Sequence, residues 1–254
     1  MNMRTRPLVI AHGGNASEAP QNSLIAFQQA LALGVDLIEL DVNRTRDGHA
    51  VIFHGPDLKT TTGVEGQIYD LTLAEARVLD VGKWKDAAFE GERMMTFEEV
   101  LTFARGKVHL AVDLKCEKII PRMVECVHEA GMVGEVAICG CDVSWAAQVR
   151  ALEPALSVGL NMDRKMIALA ADDPTEFRGA YLRQATGSNL SPLNINHRYV
   201  TQELVYEAHL RAVQVWAWTV DDPEDVERLI GLGVDAIYTN YPQRVKDLIG
   251  VLTD

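Results

Sequence analysis

The sequence predicts an α/β fold, a (β/α)8 TIM barrel, and three observations carry that prediction. Short apolar, β-rich runs alternate with helical patterns from one end of the chain to the other. The length of 254 residues is typical for such a barrel. Side chains able to move protons or hold metals stand at the ends of the apolar runs, where a parallel barrel gathers its chemistry. A doubly wound sheet is the alternative that the same alternation allows.

The elements follow in order. Leu8–Ala11 is a short apolar strand after Pro7. Ser23–Leu33 has helical spacing, and Gly34 stands where a left-handed cap belongs. Leu37–Val42 is the next strand. Asp47-Gly48 marks a tight turn, so Ala50–Phe53 is expected to return beside it. From Gly55 to Met95 the alternation lapses into Thr60-Thr61-Thr62-Gly63, a short helical pattern at Leu73–Leu79 and polar connections. An excursion of this length after one strand is expected to form a lid or a wall beside the site. Val108–Leu114, the helical stretch Cys116–Ala130, then Glu135–Cys139, Leu156–Leu160 and Asn189–Ser191 resume the pattern. The helix Thr201–Leu210, the strand Val213–Val220, the helix Pro223–Leu232 capped by Gly233, and the strand Ala236–Thr239 complete it. No linker, repeat or low-complexity tract interrupts the chain, so residues 1–254 are assigned to one domain with an excursion after the His54 strand.

Composition narrows the function. A net charge of -12 argues against a nucleic-acid groove and against adsorption to anionic membranes. Met1 to Arg6 holds two arginines, but the apolar run after Pro7 is too short for a signal peptide. No run approaches the ~20 apolar residues of a membrane span. The spacings of Cys116, Cys126, Cys139 and Cys141 do not resemble a zinc site, and reduced cysteines in a cytoplasmic protein are expected.

The chemistry concentrates at strand ends. Glu39 and Asp41 interrupt an apolar run two residues apart, so on a strand they share a face. Two carboxylates there repel each other unless a cation lies between them. A single acid at such a position is more often a cap or an ion-pair partner. Asp113 ends another strand and supplies a third carboxylate; three oxygen donors suit one divalent cation, Mg²⁺ or Ca²⁺. His12 and His54 each end an apolar run; either alone reads as structural, but across a metal they form a general acid and base for phosphoryl transfer. Lys115 shares the face of Asp113, placed either to contact phosphate or to pair with the carboxylates. Trp216 and Trp218 default to core packing, with Trp218 the better candidate for a substrate wall. Asn240 reads as a turn residue or as one that orients a water or hydroxyl.

Together these segments resemble the glycerophosphodiester phosphodiesterase family of metal-dependent barrels. The resemblance runs through His12-Gly13-Gly14, Pro20-Gln21-Asn22-Ser23, Glu39-Leu40-Asp41-Val42, Arg44-Thr45-Arg46-Asp47-Gly48, Thr61-Thr62-Gly63, Trp218-Thr219-Val220 and Gly233-Val234-Asp235-Ala236-Ile237-Tyr238-Thr239. Departures accompany it. Gly13 replaces the family's arginine, Gln21 its acidic residue, Gly55 the aspartate after the second histidine, and Asp113 the usual glutamate. These departures are similar to the sphingomyelinase D-like phospholipases, which share His-Gly at the second histidine, Asp113-Leu114-Lys115, the Trp218-Thr219-Val220-Asp221 and Thr239-Asn240-Tyr241-Pro242 endings, and Asn15 in a His-x-x-Asn opening.

The resemblance implies a metal-dependent phosphodiesterase acting on a small soluble diester of the glycerophosphodiester kind. Glu39, Asp41 and Asp113 would hold the cation, His12 and His54 would exchange protons, and Lys115, Trp218, Asn240 and Asn15 would contact substrate. A neighbouring substrate hydroxyl attacking phosphorus would give a cyclic phosphate. An opine-type sugar phosphodiester and a lysophospholipid are the alternative substrates. A barrel that binds phosphorylated ligands without turnover is the non-enzymatic alternative, motivated by Gly13 and Gln21.

Overall fold

The computed structural model describes residues 6–253, with side chains through residue 251. Residues 1–5, which include the first of the two arginines ahead of Pro7, lie outside the described residues. Ten strands form one sheet: β1 (Leu8–Ala11), β2 (Leu37–Arg44), β3 (Ala50–Ile52), β4 (His109–Leu114), β5 (Val136–Ile138), β6 (Ser157–Val158), β7 (Leu160–Asn161), β8 (Leu193–Asn196), β9 (Val215–Trp218) and β10 (Ala236–Thr239). Nine follow the parallel order β6-β5-β4-β2-β1-β10-β9-β8-β7, and β3 pairs antiparallel with β2 outside that path.

The path begins and ends on either side of Gly159. Gly159 N–H donates to Ile138 O of β5 at 2.8 Å, and Leu160 N–H donates to Pro192 O at 2.8 Å. β6 and β7 are therefore halves of one strand that changes partner at a glycine, and the eight-stranded (β/α)8 barrel is nearly closed there. Gly159 is needed at this seam because a Cβ would lie 2.8 Å from the Pro192 carbonyl oxygen.

Alternation along the strands sorts side chains into two cores. Ile38, Leu40, Val42, Leu110 and Val112 face the surrounding helices in the large outer cluster. Ile10, Leu37, Ala111, Trp216 and Tyr238 pack inside the barrel. Burying each large aliphatic side chain contributes about 1.5–3 kcal/mol, so both faces of every strand stabilise the fold. One parity class continues past the inner core to His12, Glu39, Asp41, Asp113 and Trp218, which is how the topology brings them to one end.

Several elements depart from the sequence reading. Asn189–Ser191 is not a strand. Asn189 sits at φ 53 just past the helix Pro174–Gly187, and Leu190 N–H closes back onto Ala185 O. The strand is β8 instead, whose Leu-Asn-Ile-Asn alternation hides its apolar face from a scan for continuous hydrophobicity. The helices Phe97–Ala104, Val143–Leu152, Arg164–Asp172 and Pro242–Thr253 were not anticipated. The hairpin at Asp47-Gly48 forms with Val42 opposite Ile52. The excursion packs its own cluster of Leu58, Ile68, Ala76, Val81 and Met94 against Val51 and Phe53. It does not wall the central cavity, none of whose lining residues lies between 55 and 95.

Candidate active site

The cavity at the carboxyl ends of the strands measures about 340 Å³. His12, Glu39, His54, Asp113 and Lys115, all from the first half of the chain, line one side. Cys139, Asn161, Asn194, Trp218, Thr219 and Tyr238, all neutral and all from the second half, line the other.

Glu39 and Asp41 are 3% and 2% exposed. One oxygen each from Glu39, Asp41 and Asp113 lies within 4.8 Å of the other two. Glu39 Oε2 accepts the Gly13 N–H at 2.8 Å. Asp41 Oδ2 accepts from Asn22 Nδ2 at 2.6 Å, while Asp41 N–H donates to Asn22 Oδ1 at 3.1 Å. Asn22 occupies φ 61, a left-handed position that asparagine tolerates, and its two hydrogen bonds fix the Asp41 carboxylate. Lys115 Nζ reaches Asp113 Oδ2 at 2.6 Å and Asp41 Oδ1 at 2.9 Å. Burial pulls the Lys115 ammonium down, but Asp113 and Asp41 outweigh it and hold the group charged. Burial, followed by the charge of Asp41, drives Glu39 up to about 8. Burial likewise raises Asp113. This crowded all-oxygen donor set fits one hard divalent cation, which would offset the repulsion that one lysine leaves uncompensated.

His12 follows β1 and its N–H donates to Thr239 O at 3.0 Å. Its Nδ1 lies 2.8 Å from Asn240 Oδ1. Asn240 Nδ2 donates to Asp221 Oδ2 at 2.7 Å, and Asn240 N–H donates to Asp221 Oδ1 at 2.9 Å. A carboxylate accepts only, so Asp221 turns the amide nitrogen of Asn240 toward itself and the oxygen toward His12. Nδ1 therefore carries the proton, and Nε2 is the nitrogen left for exchange with a ligand. Burial lowers the His12 pKa, but Glu39, the Asn240 bond and Asp41 outweigh it, and the net shift is upward. Replacing Asn240 with alanine is expected to lower kcat by about 10²-fold through loss of imidazole orientation, with KM little changed. Steady-state kinetics check this, and an unchanged kcat would remove Asn240 from the positioning of His12.

His54 arrives by another route. It follows β3, which returns antiparallel beside β2 as the Asp47-Gly48 turn suggested and lies off the barrel path. Phe53 N–H donates to Asp41 O at 3.0 Å, and Asn43 Nδ2 donates to Gly55 O at 3.2 Å. These bonds pin both flanks of His54 to β2 and turn it to the cavity.

The remaining site residues divide. Trp218 lines the cavity, while Trp216 lies in the inner core against Tyr238. Asn240 is committed to His12 and Asp221 and does not line the cavity, so its contact with substrate is replaced by a contact with the imidazole. Asn15 is not brought to the site. Gly13 and Gly14 at φ 62 and φ 86 turn the chain onto the helix Leu24–Leu33, where Asn15 N–H donates to Ala26 O at 3.0 Å. Asn15 Nδ2 then donates to Gln29 at 3.0 Å and its Oδ1 accepts from Ser17 Oγ at 3.2 Å. Gly13 and Gln21, the two departures near the first histidine, touch: a Cβ at residue 13 would lie 2.8 Å from Gln21 Cβ. Sequence reasoning missed Asn43 and quoted Asp221 only within the Trp218-Thr219-Val220-Asp221 motif, with no role assigned. It quoted Asn22 only within a motif, although asparagine beside a helix cap was a usable signal.

A parallel barrel with this cavity at its carboxyl end places the chain in the (β/α)8 class, with histidines, a lysine and carboxylates gathered where such barrels carry their chemistry. Comparison with known proteins makes that particular. The profile of the glycerophosphoryl diester phosphodiesterase family matches residues 12–244. A glycerophosphodiester phosphodiesterase of Caldanaerobacter subterraneus subsp. tengcongensis is 32% identical over 250 residues, covering 96% of this chain and 98% of that protein. One from Bacillus subtilis is 27% identical, covering 93% of this chain and 84% of that protein. The structure of an Oleispira antarctica phosphodiesterase in complex with the product sn-glycerol-3-phosphate superposes with TM-score 0.84 at 26% identity, covering 96% and 97% of the two chains. The chain belongs to the glycerophosphoryl diester phosphodiesterase family. No helix among the described residues is long and apolar enough to cross a membrane.

Proposed function

We propose that this protein is a cytoplasmic, metal-dependent phosphodiesterase that cleaves a small glycerophosphodiester to an alcohol and a phosphomonoester. The observation that carries the reading is one cavity lined by two histidines, a lysine and the Glu39 and Asp113 members of a three-carboxylate cluster, in a chain of this family. The product bound to the Oleispira relative supports the glycerol phosphate class. Glu39, Asp41 and Asp113 would hold one Mg²⁺ or Ca²⁺, which would supply Lewis-acid chemistry toward a phosphodiester oxygen. One of His12 and His54 removes the proton of the attacking hydroxyl, and the other protonates the departing alkoxide. His12 does so through Nε2, because Asn240 holds its other nitrogen. Lys115 stays protonated beside the carboxylates and balances charge as the phosphorane forms. Trp218 forms part of the wall facing the alcohol.

A substrate hydroxyl next to the phosphate acts as the first nucleophile, giving a cyclic phosphate that water then opens. The likeness of Gly13, Gly55 and Asp113-Leu114-Lys115 to the sphingomyelinase D-like pattern supports this reading, and among the described residues His12, His54 and Lys115 are the basic groups that line the cavity. Incubation with Mg²⁺ and glycerophosphocholine, lysophosphatidylcholine or a sugar phosphodiester, followed by ³¹P NMR, tests the proposal. The glycerophosphocholine resonance is expected to give way to a cyclic phosphate and then a monoester, and chelator is expected to stop the conversion. Unchanged resonances for every diester, with metal bound, would overturn the enzymatic reading.

A further inference from the structure

Gly140 stands beside the third carboxylate of the cluster, and nothing in the reaction as described uses it. β4 and β5 run in register with Val112 opposite Ile138, and Cys139 N–H donates to Val112 O at 2.8 Å. Just past the end of that ladder, Gly140 lies against Asp113 and Leu114 of the neighbouring chain segment. A Cβ built on Gly140 would lie 1.7 Å from Asp113 Oδ1 and 2.7 Å from Asp113 Cγ. It would also lie 2.6 Å from the Leu114 nitrogen. Real Cβ atoms do not approach other atoms within 3.0 Å.

The backbone at residue 140 is not left-handed, so its conformation does not call for glycine. The requirement is for volume. Aspartate has a short reach, and its carboxylate lies against the neighbouring strand in the space that any side chain at residue 140 would occupy. Its Oδ2 meets Lys115 and its Oδ1 lies over Gly140. We propose that Gly140 is a positioning residue for the metal site: the missing side chain admits the Asp113 carboxylate to the cluster with Glu39 and Asp41.

The metal arm of this inference rests on the reading of those three carboxylates as ligands, and the steric arm does not. Both can be measured. Four full-length proteins are compared: wild type, Gly140→Ala, Asp113→Ala and the double variant. Melting temperatures are taken in chelator, and Mg²⁺ affinity by calorimetry on the wild type and on Gly140→Ala.

Gly140→Ala is expected to melt several degrees below wild type, or not to fold. Adding Asp113→Ala is expected to restore most of that loss, because it empties the contested volume. Mg²⁺ affinity is expected to fall at least tenfold in Gly140→Ala where that variant folds. A double variant no more stable than Gly140→Ala would assign the clash to the Leu114 backbone and overturn the proposal, as would unchanged Mg²⁺ affinity in a folded Gly140→Ala. A wild type that binds no Mg²⁺ would instead sink the ligand reading, while the steric coupling would still be read from the melting temperatures.

Discussion

Alanine at His12 is expected to lower kcat by about 10²–10⁴-fold while leaving the circular dichroism spectrum and Mg²⁺ affinity as in wild type. The physical basis is the chain from Asp221 through Asn240 to His12 Nδ1, which leaves one defined nitrogen for proton exchange. His12 sits at the cavity wall with Asn240 as its side-chain partner, so a folded variant isolates the loss of the imidazole. Alanine at His54 is expected to have an effect of similar size, because the two histidines handle different protons. A His12 variant retaining more than a tenth of wild-type kcat would rule out proton transfer by that residue.

Glutamine at Glu39 is expected to do two opposite things. It weakens Mg²⁺ binding at least about tenfold, since it removes a charged donor from the cluster. In chelator it also makes the protein more stable than wild type at pH 8. Burial, then the charge of Asp41, raise Glu39 from its ordinary 4.5 to about 8; His12 and Lys115 pull against this, and Asp113 adds to it. The folded protein thus keeps a proton that the unfolded chain releases near 4.5. Stability of the metal-free wild type should therefore decline as pH rises from 4.5 toward 8 and level off above. Below pH 4.5 Glu39 is protonated in both states, and the two proteins should converge. Melting curves from pH 4 to 9 in chelator check this, and identical curves at pH 8 would refute the electrostatic cost assigned to Glu39.

What the sequence disclosed follows from range. Spacing of two along a strand is a local property, so Glu39 and Asp41 could be assigned to one face before any fold was known. The alternation of runs likewise announced the barrel. Asn22, Asn43 and Asp221 could not be assigned roles that way. Each acts on a neighbour set by tertiary contact, such as Asp221 on Asn240 across the β9–β10 loops, and polar residues in loops have many possible roles. Asn15 and Asn240 show the converse. Both occupy motif positions, yet one is turned onto the helix Leu24–Leu33 behind two left-handed glycines and the other serves an imidazole. Gly159 looked like a residue within a strand, and only the closed ring shows that it joins the two ends of the sheet.

The partition of the cavity between the two halves of the chain has an evolutionary consequence. The carboxylates, histidines and lysine of the cavity are supplied before residue 116 and its uncharged wall after residue 138. Mutations on the later strands can retailor the alcohol that is accepted while the reactive apparatus is inherited intact. New substrates are then reached by editing one half of the gene, with Gly140, Asp221 and Asn240 as later positions where drift would disturb the chemistry itself.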